Sequence, residues 1–132
     1  MYLVQVRNVT SKKRRILVVD DELDILLTFK SCLERNKFKV DVFSDPHEAL
    51  SNFTRGAYDL LLLDIKMPKM NGFELYREIR KLDDNVKVCF ITAFVVYYQS
   101  LQETFPSTKT SCFIRKPIEL NQLIKKIDLE LG

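Results

Sequence analysis

Asp20, Asp21, Asp64, Thr92 and Lys116 are the residues of this chain whose types and positions suggest chemistry, because each follows a short apolar run. Ile16-Leu17-Val18-Val19 leads into Asp20-Asp21-Glu22, and Leu60-Leu61-Leu62-Leu63 leads into Asp64. Val88-Cys89-Phe90-Ile91 leads into Thr92, and Cys112-Phe113-Ile114-Arg115 into Lys116. Carboxylates that converge repel, so some stay protonated at neutral pH unless a cation neutralises them. Oxygen ligands with room for water suit Mg2+, which also takes a phosphoryl oxygen readily. A metal on Asp21 and Asp64, with Asp20 reaching it through water, leaves one Asp64 oxygen as a nucleophile, and aspartate nucleophiles form acyl phosphates. Phosphoryl transfer needs mainly positioning and charge neutralisation. Mg2+ and the Lys116 ammonium supply positive charge on two sides, and the Thr92 hydroxyl can donate to the phosphoryl group.

Those residues meet only if the apolar runs are neighbouring strands that exit on one edge. Ile16 to Val19 and Leu60 to Leu63 do not alternate with polar residues, the pattern of parallel strands covered on both faces. Pro68 and Gly72 follow the leucine run too soon for it to open a helix. Phe38 to Phe43 alternates, as an edge strand should. Val86 to Ile91 and Cys112 to Arg115 supply the fourth and fifth strands. Between them, helices are expected from Leu23 to about Asn36, with Leu23, Leu26, Leu27 and Leu33 on one core stripe and Ile25, Phe29 and Cys32 on a second. The second stripe is core, with a partner-docking face that includes Ile25 as the alternative. A helix with Asp45 as N-cap should run to about Arg55 and end at Gly56, and one capped by Asn71 to about Leu82. Phe94 to Phe105 should form a fourth helix and Ile118 to Leu131 the last. Five strands alternating with five helices indicate an α/β, doubly wound parallel sheet. Order 2-1-3-4-5 places the alternating strand at an edge. Ligands of such sheets bind outside the carboxyl ends of the strands where the winding reverses, which is where the five polar residues lie.

Length and composition narrow the rest. With 132 residues, 46% of them hydrophobic and 30% charged, the chain suits one globular domain. Residues 1 to 13 read as an N-terminal extension, in which Tyr2, Val4 and Val6 could form a short strand, and 14 to 132 as the domain. No apolar run is long enough for a membrane span, and a signal peptide is not expected. The excess charge, +3 overall, lies largely in Lys12-Lys13-Arg14-Arg15. It reads as a solvated approach to the first strand, so no direct nucleic-acid contact is expected. Cys32, Cys89 and Cys112, odd in number and without CxxC spacing, read as small buried apolar residues in a reducing cytoplasm. His47, the only histidine, reads as surface.

In order and spacing, Ile16-Leu17-Val18-Val19-Asp20-Asp21-Glu22, Leu63-Asp64-Ile65-Lys66-Met67-Pro68 with Gly72, Thr92-Ala93 and Lys116-Pro117 resemble the receiver domain of two-component response regulators. The resemblance runs from about Arg14 to the end. It implies a flavodoxin-like fold and a cytoplasmic signalling domain rather than an enzyme with its own substrate, one that assists its own Mg2+-dependent phosphorylation and dephosphorylation. By position it implies that Asp64 accepts a phosphoryl group from a phosphohistidine on a sensor histidine kinase or phosphotransfer protein. Asp20 and Asp21 would hold Mg2+ with the backbone carbonyl of Lys66, and Lys116 would pair with the phosphoryl group. Thr92 would move toward that group, and Phe113 would be the aromatic switch that reshapes the face of the fourth helix, fifth strand and fifth helix. A downstream protein or a second copy of the chain would bind there, with Tyr97, Tyr98 and Phe105 as candidate contacts. Phe94, two positions after Thr92, is expected to shield the acyl phosphate from water.

Two rivals remain. A receiver-like scaffold that works without phosphate should lack an acid or the lysine, and none is missing. A phosphatase of the haloacid dehalogenase class should carry an Asp-x-Asp nucleophile on its first strand, where this chain has Asp20-Asp21-Glu22. The sequence carries no DNA-binding helix pair or catalytic domain beside the receiver-like part, so a free-standing receiver and part of a longer regulator are both expected readings.

Overall fold

The side chains of Leu60 to Leu63 are completely buried, because successive residues of a strand point to opposite faces and both faces of this one are covered. Leu60 and Leu62 pack with Ile16, Val18, Ile91 and Ile114 on one face. Leu61 and Leu63 pack with Leu17, Val19, Val88 and Phe90 on the other. The computed structural model describes residues 13–93 and 112–132. Within them, strands β1 (Arg15–Val19), β2 (Lys39–Phe43), β3 (Leu60–Asp64), β4 (Lys87–Thr92) and β5 (Phe113–Arg115) form a parallel sheet in the order β2-β1-β3-β4-β5. This is the order expected from the sequence. Val19 pairs with Leu63, and Asp64 with Ile91, so Asp20 and Asp64 leave the sheet side by side with Thr92 one residue beyond on the next strand.

Four helices are described: α1 (Leu23–Arg35), α2 (Pro46–Ser51), α3 (Gly72–Leu82) and α4 (Leu120–Leu131). Helices α1 and α4 cover one face through Leu26, Phe29, Leu33, Leu123 and Ile127. Helices α2 and α3 cover the other through Ala49, Phe73, Leu75 and Ile79. The helix expected from Phe94 to Phe105, including Tyr97 and Tyr98, lies outside the described residues, as do the Tyr2–Val6 stretch and Lys12. No helix among the described residues is long and apolar enough to cross a membrane.

Three local expectations are corrected. Leu23 and Leu27 are not core: they are 61% and 54% exposed. The buried stripe of α1 is Leu26, Phe29, Cys32 and Leu33. At 100° per residue Leu27 falls roughly 150° from the centre of that stripe, so the sheet cannot reach it. Helix α2 ends at Ser51, not Arg55. The Asn52 side chain donates to the Glu48 carbonyl at 2.9 Å and closes the helix there. Gly56 instead sits in a later turn at φ +78°, its N–H donating to Asp83 Oδ2 at 2.9 Å. Finally, Cys89 and Cys112 form a disulfide. Phe90 pairs with Phe113, so these cysteines are direct neighbours across β4 and β5 on one face, with their Cα atoms 4.6 Å apart, within the span of such a bond. Register, not sequence spacing, makes the pair. Cys32 is free and buried, as expected.

The segment after β3 is held close to the sheet edge. The Asn71 side chain and the Glu74 side chain reciprocally bond each other's backbone N–H groups at 2.9 Å, a capping box that starts α3. The Gly72 N–H donates to the Ile65 carbonyl at 2.8 Å. A Cβ on Gly72 would lie 2.4 Å from the Asp64 carbonyl oxygen, so only glycine allows α3 to start this close to β3. Gly72→Ala is therefore expected to destabilise the fold by about 1–3 kcal/mol, the usual cost of overpacking. Urea denaturation against the parent chain measures it, and an unchanged midpoint would show that the contact is relieved at no cost.

Candidate functional site

The strand exits of β1, β3 and β4 and the loop after β5 border an open crevice of about 410 Å3, lined among others by Asp21, Asp64, Lys66, Thr92 and Lys116. Asp20 and Asp64 are almost fully buried, Thr92 is buried, and Asp21 is exposed. Apolar strands carry the carboxylates of Asp20 and Asp64 to the edge of the core, where water reaches them poorly. The Asp20 carboxylate is fixed by the Glu22 N–H, which donates to Oδ1 at 2.9 Å. The Lys116 N–H donates to the Thr92 carbonyl at 2.9 Å, which ties the lysine to the end of β4.

Lys116 is the cation facing these acids. Its Nζ lies 2.9 Å from Asp20 Oδ2, 3.0 Å from Glu22 Oε1 and 3.6 Å from Asp64 Oδ2. Burial pushes the Asp64 carboxyl up to about 8; the Asp20 charge adds to this, Lys116 opposes it, and a hydrogen bond shared with Asp21 raises it further. Burial also raises Asp20, against the Glu22 N–H and Lys116. For Lys116, burial acts downward, but Asp20 and Glu22 outweigh it and hold the ammonium above its usual range. One ammonium thus faces more carboxylate charge than it can neutralise.

That donor set fits a divalent cation. One oxygen from each of Asp20, Asp21 and Asp64 lies within 4.8 Å of the others. Asp20 Oδ2 is buried without a hydrogen-bond donor in good geometry, and all-oxygen sets that keep water suit Mg2+.

Comparison with known proteins agrees with the fold. The family model for the response regulator receiver domain matches residues 16–128. The chain belongs to the receiver domain family of response regulators. It is 34% identical over 117 residues to the transcriptional regulatory protein SpaR of Bacillus subtilis, covering 89% of this chain and 51% of that protein. It is 30% identical over 115 residues to the response regulator receiver protein CpdR of Brucella abortus, covering 87% of this chain and 94% of that one. The chain spans about half the length of most of the curated relatives it matches. Among solved structures, TrrA of Thermotoga maritima in complex with Mg2+ and BeF matches with a TM-score of 0.77 at 34% identity, covering 90% of this chain and 99% of that one. The non-phosphorylated HemR receiver domain of Leptospira biflexa matches with a TM-score of 0.79 at 29% identity, covering 91% and 95%.

In this receiver, Asp20, Asp21, Asp64, Thr92 and Lys116 all come to the one edge. Lys66 lies on the crevice wall with an exposed side chain. Phe113 is half-buried on β5 with its ring stacked on Phe90, centroids 6.0 Å apart. His47 is exposed. Phe94 lies outside the described residues. Sequence reasoning assigned no role to Glu22, whose carboxylate reaches Lys116 from the start of α1; its place beside Asp20-Asp21 was the available signal.

The raised Asp64 sets a pH dependence. A carboxyl that holds its proton more tightly folded than unfolded favours the fold at low pH, and that contribution is lost as pH rises through the folded value. Without divalent cations, the melting temperature is expected to fall between about pH 5 and pH 8. Asp64→Asn should flatten that fall, and Mg2+ should reverse it at pH 8 by neutralising the carboxylates. Melting curves at several pH values check this; a parent and an Asn variant with parallel profiles would remove Asp64 as the cause.

Proposed function

We propose that this receiver is the phosphoacceptor switch of a two-component phosphorelay, with Asp64 taking a phosphoryl group from a phosphohistidine. The convergence of Asp20, Asp21, Asp64 and Lys116 at one crevice carries this reading. An Asp64 carboxylate oxygen attacks phosphorus; the P–N bond breaks, its electron pair returns to the imidazole, and an acyl phosphate forms. Asp20, Asp21, Asp64 and the Lys66 backbone carbonyl are the groups that would hold Mg2+. Bound there, Mg2+ supplies positive charge to the phosphoryl oxygens. Lys116 orients and neutralises the phosphoryl group from the other side, and the Thr92 hydroxyl donates to it.

The signal then passes along β4 and β5. Phosphorylation replaces a carboxylate by a more highly charged group, which favours the state in which Thr92 and Lys116 are drawn toward it. Both residues border the strands that carry Phe90 and Phe113. Repacking of Phe113 would bias a pre-existing equilibrium at the surface made by β5 and α4 rather than create a new fold. A downstream protein, or a second copy of the chain, reads that surface. The phosphodonor docks beside the crevice, over α1. A groove lined by Ile25, Thr28, Phe29, Pro117 and Ile118 adjoins it.

Incubation with Mg2+ and acetyl phosphate is expected to add one phosphoryl group to the chain by intact-mass analysis, and none to Asp64→Asn. If the parent gains none from either acetyl phosphate or a phosphorylated histidine kinase, a phosphate-independent scaffold is the better reading. Separately, Thr28→Glu, which puts a charge into the groove from an exposed position of α1, is expected to slow transfer from a protein phosphodonor about tenfold, in the range of a lost interface contact, while acetyl phosphate labelling is unchanged. Equal loss with both donors would place the damage at the crevice instead of the docking face.

A further inference from the structure

Glu22 occupies the N-cap of α1 but does not cap it: its side chain makes no bond to the helix's free N–H groups. Ser, Thr, Asp and Asn are the residues that serve well there. The Glu22 backbone does local work, its N–H fixing Asp20 Oδ1 and its carbonyl accepting from the Leu26 N–H at 3.1 Å. The carboxylate turns the other way and accepts a hydrogen bond from Lys116 Nζ at 3.0 Å, across 94 residues of sequence. Of the three acids around the ammonium, Glu22 alone receives it in hydrogen-bonding geometry. Asp20 Oδ2 is near but lacks that geometry, and Asp64 Oδ2 at 3.6 Å is beyond hydrogen-bond reach.

The two partners differ in surroundings. The Lys116 side chain is 12% exposed and the Glu22 side chain 60%. Glu22 therefore draws the ammonium toward the mouth of the crevice, while Asp20 and Asp64 draw it inward. A half-exposed ion pair is worth little and breaks readily, which suits a hold that must be released. We propose that Glu22 is a positioning residue that retains Lys116 at the crevice mouth until a phosphoryl group competes for it. This rests on the phosphoacceptor reading of Asp64. An ammonium has three N–H donors, and the one held by Glu22 is not available to a phosphoryl oxygen on Asp64. Glu22 thereby slows phosphoryl capture and sets how strongly Lys116 answers it.

Removing the side chain tests this, and because Glu22 makes no cap bond, Glu22→Ala takes no side-chain cap from α1. Capture of phosphoryl from acetyl phosphate, followed by intact mass, is expected to be about two- to fivefold faster in Glu22→Ala, the ratio that an exposed ion pair supports. Loss of a nearby negative charge could by itself speed approach of an anionic donor, so two controls separate charge from contact. Glu22→Asp keeps the charge but shortens the reach, and should accelerate capture in the same sense. Asp24→Ala removes an acid from the first turn of α1 that does not touch Lys116, and should not. In parallel, the Lys116 ammonium is followed by nitrogen NMR in the unphosphorylated chain, its signal assigned by its absence in Lys116→Arg. Its protons should exchange with water faster in Glu22→Ala than in the parent. Unchanged exchange, unchanged or slower capture, or equal acceleration by Asp24→Ala overturns the proposal. A parent that takes no phosphoryl group at all counts against the phosphoacceptor reading, and the NMR comparison still decides whether Glu22 holds Lys116.

Discussion

Everything at the working edge of this domain depends on too many carboxylates sharing too little water. Asp20 and Asp64 are carried to the rim of the sheet by strands with no exposed apolar side chain, and they arrive with almost no solvent contact. Ionised carboxylates are costly in such a place unless something positive answers them. Lys116 answers in part, and only because β5 delivers it from the far side of the crevice. The crowding is thus an unfavourable term maintained by an otherwise over-determined fold. It makes the edge receptive to charge: a cation is welcome, and a change of charge at Asp64 is felt by every group around it.

The scaffold limits how that edge can relax. Parallel register sets Asp20 beside Asp64 and Thr92 beyond both, while two apolar layers fix the strands that carry them. The capping box at Asn71 and the near-contact of Gly72 with the Asp64 carbonyl stop the segment after β3 from swinging away. What can still move lies near the surface: the Lys116 side chain, the Glu22 carboxylate and the half-buried Phe113 ring. A rigid frame with a few mobile groups is the arrangement in which a small local charge event can select between two packings.

Much of this was legible in the sequence, and for a physical reason. Unalternated apolar runs mark strands buried on both faces, and a polar residue directly after such a run must stand at the sheet edge. That logic, with the alternating edge strand, yielded the sheet order and brought Asp20, Asp21, Asp64, Thr92 and Lys116 together. Where sequence reasoning failed, the answer depended on which residues of separate elements face each other. Leu23 and Leu27 fit a helical stripe, but its orientation is set by where the sheet lies. Cys89 and Cys112 show no spacing motif, since strand register pairs them. Gly56 looked like a helix stop, yet a side-chain bond from Asn52 closed the helix earlier. Glu22 passed as a strand-exit acid because its partner lies in a distant segment.

The Cys89–Cys112 bond has a topological consequence. It turns the chain between those cysteines, 23 positions apart, into a covalent ring that contains Thr92 and stops one residue short of Phe113. A backbone cut within the ring yields a nicked molecule that still migrates as one piece until a reductant separates the fragments. Oxidised and reduced forms therefore differ in connectivity: in one Thr92 belongs to a closed circuit with Phe113 just outside it, in the other both lie on an open thread.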